Sequence, residues 1–201
     1  MSWIKIDPKW SAGNSVTECP YVIWEDLLTP EMLNDLIDNC KKVKLEQAGM
    51  FNDAQGEDLL SIRNTKVGWI KPEKMNDDMK AISNWIWSSV QNSNYWNLDI
   101  RGFGEAWQYA EYGPGAKYNW HVDVGPDMNH RKLSITIQLS DEKDYTGGLF
   151  HLTGQPPFEE SKFLKKGSAI MFPSHWKHKV MPVISGMRKS LVIWVSGPRL
   201  K

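Results

Sequence analysis

The stretch Trp120-His121-Val122-Asp123-Val124-Gly125 sets an imidazole and a carboxylate two residues apart. In an extended strand, residues i and i+2 share a face, so His121 and Asp123 would stand side by side. Such a pair can supply two ligands to a divalent metal, form the centre of a hydrogen-bond network, or be an accident of sequence. The chain has five histidines: His121, His130, His151, His175 and His178. His178 opens the alternating run His-Lys-Val-Met-Pro-Val, which pairs it with Val180 on one face and leaves His175 in the preceding loop. It follows Asp123 by 55 residues, enough for an antiparallel sheet pair to fold back on itself. Ten residues later comes Arg188, with Ser190 on the same strand face.

Two histidines and one carboxylate make a facial ligand set that leaves open positions on non-haem Fe(II). An arginine on a neighbouring strand offers a planar fork for a carboxylate held in the same cavity. Together these residues specify a metal, a chelating acid and an anchor for the far end of that acid.

Positioning them requires a scaffold, and the pattern of the chain supplies one. At 201 residues it can form one well-buried domain. Residues 1–99 are read as helical support and substrate-side elements, and residues 100–198 as the core. Thr29 and Pro30 mark the start of a helix whose stripe is Leu33, Leu36, Ile37, Cys40 and Val43. A second helical stripe runs through Met75, Met79, Ile82, Ile86 and Val90, and Ser61–Ile70 between the helices looks like a strand. Strands are expected near 105–112, 118–124, 132–139, 148–152, 169–172, 177–183 and 188–195. Helices first and many strands after predict an α+β fold. Within 132–139, Leu133, Ile135, Ile137 and Leu139 form an apolar face for the helices. Ser134, Thr136 and Gln138 form a polar face that meets either solvent or a ligand cavity.

Lys+Arg and Asp+Glu both number 24, so no broad field gathers nucleic acid or an anionic membrane. The N-terminus lacks an apolar stretch of signal-peptide length, and no segment approaches a membrane span. Cys19 and Cys40 make no metal or redox spacing. These features predict a soluble, cytoplasmic protein with no membrane partner; they leave the oligomeric state open. Eleven tryptophans could fill a core or wall a dry pocket.

From Tyr112-Gly-Pro-Gly to His121 and Asp123, through Arg131–Phe150, to Phe172–Pro198, the chain resembles the iron(II)- and 2-oxoglutarate-dependent oxygenases of the prolyl 4-hydroxylase-like branch. The resemblance implies a double-stranded β-helix, or jelly-roll, core with supporting N-terminal helices. It implies His121, Asp123 and His178 as iron ligands and Arg188 as partner of the 2-oxoglutarate C5 carboxylate. Tyr112 matches a pocket tyrosine, and alternation puts Gln108 on its face; Ser190 shares the face of Arg188. Gln138 falls where hypoxia-sensing prolyl hydroxylases place a tyrosine that binds the cosubstrate. Arg63 matches an arginine near the substrate entrance, although Thr65 stands where the family has an acidic residue. Trp194 matches a tryptophan near the iron.

The cofactors so implied are Fe(II), 2-oxoglutarate as cosubstrate and O₂, with ascorbate as reductant. The implied reaction couples decarboxylation of 2-oxoglutarate, to succinate and CO₂, to hydroxylation of a C–H bond. Asp123 argues against halogenation, because related halogenases replace that carboxylate. Trp194 argues against nucleic-acid demethylation, because the repair demethylases carry a second arginine there. A non-catalytic binding module would be expected to have lost a ligand. The leading substrate is a prolyl residue in a polypeptide; the alternative is a free amino acid or other small molecule. Trp120 and Trp176 flank the ligands, and flat aromatics can stack on a proline ring. Residues 44–60 have the length and polarity of a substrate-covering loop.

Overall fold

A computed structural model describes residues 21–48, 63–155 and 165–199. In chain order, β1 (Val22–Trp24) leads to α1 (Pro30–Cys40), β2 (Glu46–Gln47) and β3 (Lys66–Ile70). A 3-10 turn at Pro72–Lys74 precedes α2 (Asp77–Asn92), followed by β4 (Gly102–Phe103), β5 (Trp107–Tyr112), β6 (Tyr118–His121) and β7 (Arg131–Gln138). Then come β8 (Tyr145–Gly147), β9 (Phe150–Leu152), β10 (Ala169–Pro173), β11 (His178–Val180), β12 (Val183–Gly186) and β13 (Arg188–Ser196).

Both helices start where capping chemistry places them. The Thr29 hydroxyl accepts the amide of Met32 at 3.2 Å, and Pro30 occupies the first turn. Asn76 accepts the amide of Met79 at 3.0 Å, so α2 begins at Asp77 while Pro72 opens only the short turn before it. The apolar stripes are buried at Leu36 and Cys40 on α1 and at Met79, Ile82, Ile86 and Val90 on α2. Burial alone pushes the Cys40 thiol up to about 12, which leaves it a packing residue.

The large sheet runs β1-β10-β7-β13-β5-β3-β2, with β4 added on β13, and all its pairings are antiparallel. A smaller sheet runs β6-β11-β9, and β12 pairs with β8. Thus β5, β7, β10 and β13 lie in the large sheet, and each chain segment between them visits the small ones. This alternation is the double-stranded β-helix, flanked on one side by the two helices.

Strand period divides the large sheet into two chemistries. Leu133, Ile135, Ile137, Ala169, Met171, Leu191 and Ile193 pack with Leu36, Met79, Ile82 and Ile86 on the helix side. Ala110, Tyr112, Ile170 and Phe172 face inwards and join Phe150, Leu152, Val180 and Val183 from the small sheets. Ser134, Thr136 and Gln138 are buried on that inner side, so the polar face of β7 lines the interior and not solvent.

Several strand boundaries differ from the sequence pattern for local reasons. The strand expected at 118–124 ends at His121, which leaves Asp123 in a loop. The strand expected over 177–183 splits in two around Pro182, which has no N–H for a ladder. Near 148–152 the strand starts only at Phe150, because Gly147 and Gly148 turn with φ of 74° and 61°. Of the expected loop, residues 44–48 include β2, and the rest of 44–60 lies outside the described residues.

The two-faced sheet predicts a separation of effects. Ile135→Ala should lower unfolding free energy by about 2–5 kcal/mol in denaturant titration. Its affinity for a divalent metal should stay near the parent value, since the lost side chain points to the helices. A large loss of metal affinity without loss of stability would reverse that orientation.

Candidate active site

His121, Asp123 and His178 converge, with their ligand atoms within 4.8 Å of one another. His121 ends β6 and His178 opens β11, and the two are register partners across the small sheet. Asp123 reaches the same point from the loop, with its amide bound to the Ser174 carbonyl at 2.9 Å. Its carboxylate oxygens stand 3.7 Å from His121 Nε2 and 3.6 Å from His178 Nε2.

Each imidazole is oriented from behind. His121 Nδ1 meets the Asn119 carbonyl at 2.7 Å, and His178 Nδ1 meets the Trp176 carbonyl at 3.0 Å. A carbonyl can only accept, so each Nδ1 carries a proton and each Nε2 faces the centre, where a neutral ring would offer its lone pair. Burial, then the adjacent His178, pushes His121 down to about 3, keeping it in the neutral, ligating form. Burial raises the Asp123 carboxyl, but His178, His121 and the Ser134 hydroxyl outweigh it and hold the group below its ordinary value. Ser134 Oγ donates to Asp123 Oδ2 at 2.6 Å and is itself 2.9 Å from Ser174 Oγ. The Trp194 indole N–H lies on the same side, outside hydrogen-bonding geometry but favouring the carboxylate. Two imidazoles and one carboxylate, with no fourth protein ligand grouped with them among the described residues, suit a divalent iron.

A second layer holds the Asp123 loop. Arg131 Nη1 donates to the Asp123 carbonyl at 3.1 Å, and its Nε and Nη2 grip Glu105 at 2.6 and 2.5 Å. His130 also meets Glu105, at 3.0 Å. Burial raises the Glu105 carboxyl, but Arg131 and His130 hold it below the usual range. The Arg131 guanidinium lies 3.8 Å over the Trp194 ring, so one arginine fixes both a ligand loop and a wall of the site. Neither Glu105 nor Arg131 stands out in the sequence, because they meet only across the folded sheet.

Further along the inner face is an arginine without an anion. Arg188 is 1 % exposed, and among the described residues no carboxylate pairs with it. Its Nη1 reaches Ser190 Oγ at 3.3 Å, while Nη2 has no partner. Tyr112 lies opposite it in the ladder, with its ring 5.4 Å from the guanidinium carbon. Gln138 Nε2 donates to the Tyr145 hydroxyl at 2.6 Å, and Gln138 Oε1 is unpartnered. Tyr145 is a residue that the sequence pattern does not single out. Its hydroxyl, beside Arg188 and already accepting from Gln138, keeps a proton to donate. Gly148 makes room here: a side chain on it would meet Arg188 Cδ at 3.0 Å.

On the other side of the ligands a cleft of about 310 Å³ is lined by Arg63, Gln108, Tyr118, Asp123, Arg131 and Trp194, among others. Arg63 Nη2 donates to Gln108 Oε1 at 2.8 Å, and its guanidinium lies 4.3 Å over the Tyr118 ring. Thr65 turns away and donates to the Glu111 carbonyl at 2.7 Å. Plain alternation would put Tyr118 with Trp120, opposite His121. A bulge in the β6–β11 register brings Tyr118 onto the His121 side instead, stacked at 3.5 Å. Trp120 is left pointing outwards, 41 % exposed, against His151 and Lys179. The fold therefore gathers His121, Asp123, His178, Arg188, Ser190, Gln138, Tyr112, Trp194 and Arg63 around one interior, and does not bring Trp120 to it. His175 stays exposed on its loop.

A family model described as the 2OG-Fe(II) oxygenase superfamily matches residues 107–196. A PKHD-type hydroxylase of Alteromonas mediterranea is 35 % identical over 95 residues, covering 43 % of this chain and 41 % of that protein. The match thus spans less than half the length of this curated relative. Among solved structures, a Pseudomonas putida prolyl-4-hydroxylase superposes with TM-score 0.68 at 19 % identity, covering 89 % of this chain and 93 % of that one. A Trichoplax adhaerens prolyl hydroxylase, solved with a hypoxia inducible factor peptide fragment, gives TM-score 0.71 at 16 % identity, covering 90 % and 86 %. At these identities the structures speak for the fold, and the family match covers the positions of His121, Asp123, His178 and Arg188. Residues 107–196 thus match the 2OG-Fe(II) oxygenase superfamily model, on a fold similar to that of the prolyl 4-hydroxylases.

Proposed function

We propose that this protein is a 2-oxoglutarate-dependent dioxygenase that hydroxylates a prolyl residue in a polypeptide. The observation that carries the cosubstrate assignment is Arg188, a buried guanidinium with no carboxylate partner among the described residues. An isolated buried charge is costly, so such a group is kept where a ligand supplies its partner. Ser134 beside Asp123 and Gln138 beside Tyr145 are four residues apart on β7, a span on the order of 13 Å in extended chain. The metal centre and the long arginine side chain each take part of that span, leaving room for a short diacid.

Bound iron would supply O₂ activation coupled to decarboxylation of 2-oxoglutarate, yielding succinate and CO₂. The residues of the chain do the rest. Arg188, Ser190 and the Tyr145 hydroxyl hold the distal carboxylate, Tyr112 and Phe172 exclude water, and Ser134 keeps Asp123 ionised and aimed. The cleft beside Trp194 and Arg63 receives the substrate. The prolyl assignment is supported by the fold shared with prolyl hydroxylases, one of them solved with a peptide. A free amino acid is the alternative substrate. A cytoplasmic setting and ascorbate as reductant belong to the same reading.

Asp123→Ala or His178→Ala should abolish Fe(II)-dependent conversion of 2-oxoglutarate to succinate with the fold retained by circular dichroism, whereas His175→Ala should stay active. An essential His175 with a dispensable His178 would refute the ligand assignment. Arg188→Ala should weaken 2-oxoglutarate by about 2–5 kcal/mol, because a buried carboxylate loses its charge partner; Arg188→Lys should be partly tolerated. An unchanged KM for the cosubstrate in the alanine variant would remove the anchor. Tyr145→Phe should cost about 1 kcal/mol in the same measurement, the worth of one hydrogen bond. Mass spectrometry for +16 Da on prolyl peptides and on free proline tests the substrate: turnover of proline with no peptide modified would promote the alternative.

A further inference from the structure

The cleft beside Trp194 contains a second arginine whose charge no carboxylate among the described residues answers. Arg63 is 7 % exposed, lines the cleft, and its Nε has no hydrogen-bond partner. Its contacts are the neutral Gln108 amide and the Tyr118 ring, and no carboxylate pairs with it among the described residues. The other charges of the cleft are already matched. Arg131 is held by both oxygens of Glu105, and Glu46 at the mouth pairs with Lys44 at 3.1 Å. Asp123 belongs to the metal centre.

Charge balance points the same way. A divalent cation, the Asp123 carboxylate, the Arg188 guanidinium and a dianionic 2-oxoglutarate sum to zero. Arg63 then leaves one positive charge in a partly desolvated cleft, where an unpaired guanidinium is costly. Its distance from the chemistry is set by stacking. The guanidinium covers the Tyr118 ring, and that ring covers His121, so a group held by Arg63 lies two ring layers from a metal ligand.

We infer that the substrate presents a carboxylate to Arg63, placed close to the carbon that is hydroxylated. This rests on the hydroxylase reading and names the chemistry its substrate must carry. The planar fork of arginine suits a carboxylate, with the Gln108 contact fixing the plane of the guanidinium. The carboxylate can come from an acidic residue beside the target proline or from the α-carboxylate of a free amino acid.

Binding without turnover tests this. The protein is loaded with Mn(II) and 2-oxoglutarate, and broadening of probe NMR signals by the manganese reports affinity. The peptide probes are acetyl-Glu-Pro-Gly-amide and acetyl-Gly-Pro-Glu-amide, each with its Gln counterpart. L-proline and prolinamide form the second arm. In the wild type at least one acidic probe should bind about tenfold or more tighter than its neutral partner, as expected for a charge-assisted hydrogen bond. Arg63→Gln should remove that preference. Gln108→Glu should remove it too, by giving Arg63 an internal carboxylate, and it keeps the arginine in place. Mn(II) binding in the same samples reports that the variants are folded. Equal affinity of acidic and neutral probes, a preference that survives both variants, or no binding by any acidic probe would overturn the inference. An Arg63-dependent preference for proline alone would uphold it while overturning the peptide reading.

Discussion

Everything at this site depends on the two-residue period of one sheet. Strands β7 and β13 are paired along most of their length, and each presents aliphatic groups to the helices and functional groups to the interior. Ser134 faces Trp194 across the ladder, and Gln138 faces Ser190. The metal-side and cosubstrate-side contacts are therefore opposite ends of a single ruler. A shift of one residue in register would exchange Ser134, Thr136 and Gln138 for Leu133, Ile135 and Ile137. It would bury the polar groups among the helices and empty the site at once. The hydrophobic core on the helix side is what makes that shift costly.

Two buried guanidiniums set the electrostatics of the interior, and they are treated differently from a third. Arg131 has its carboxylate inside the fold and serves as a strut between Glu105, the Asp123 loop and Trp194. Among the described residues, Arg188 and Arg63 have no carboxylate partner. A charge satisfied internally stiffens the structure, whereas one left open is a demand placed on a ligand. On the reading proposed above, Arg188 awaits the acid of the cosubstrate and Arg63 that of the substrate.

Much of this was legible in the sequence where period and spacing carry the information. The alternation of Leu133–Leu139, the caps at Thr29 and the order His121, Asp123, His178, Arg188 all survive into the structure. What could not be read depends on contacts between distant segments or on broken periodicity. The β6 bulge brings Tyr118 onto the His121 side and leaves Trp120 outside, and nothing in Tyr-Asn-Trp-His announces the extra residue. Tyr145 supplies, from a neighbouring strand, a phenol in the place where the resemblance expects one at position 138. A pattern read one strand at a time sees Gln138 as a departure; across two strands the hydroxyl is present.

The placement of the ligands on the smaller sheet has a consequence for cooperativity. His121 and His178 belong to strands of four and three residues, and their pairing is already interrupted by the bulge. The large sheet carries the long ladders and the aliphatic face packed on the helices. Such an architecture divides into a rigid slab and a lighter flap, with opening free energies that need not be equal. An ion bound by His121, Asp123 and His178 would act as a cross-strand clasp on the flap. Metal occupancy should therefore appear chiefly in the amide-exchange protection of β6, β11 and β9, while β7 and β13 stay protected with or without it.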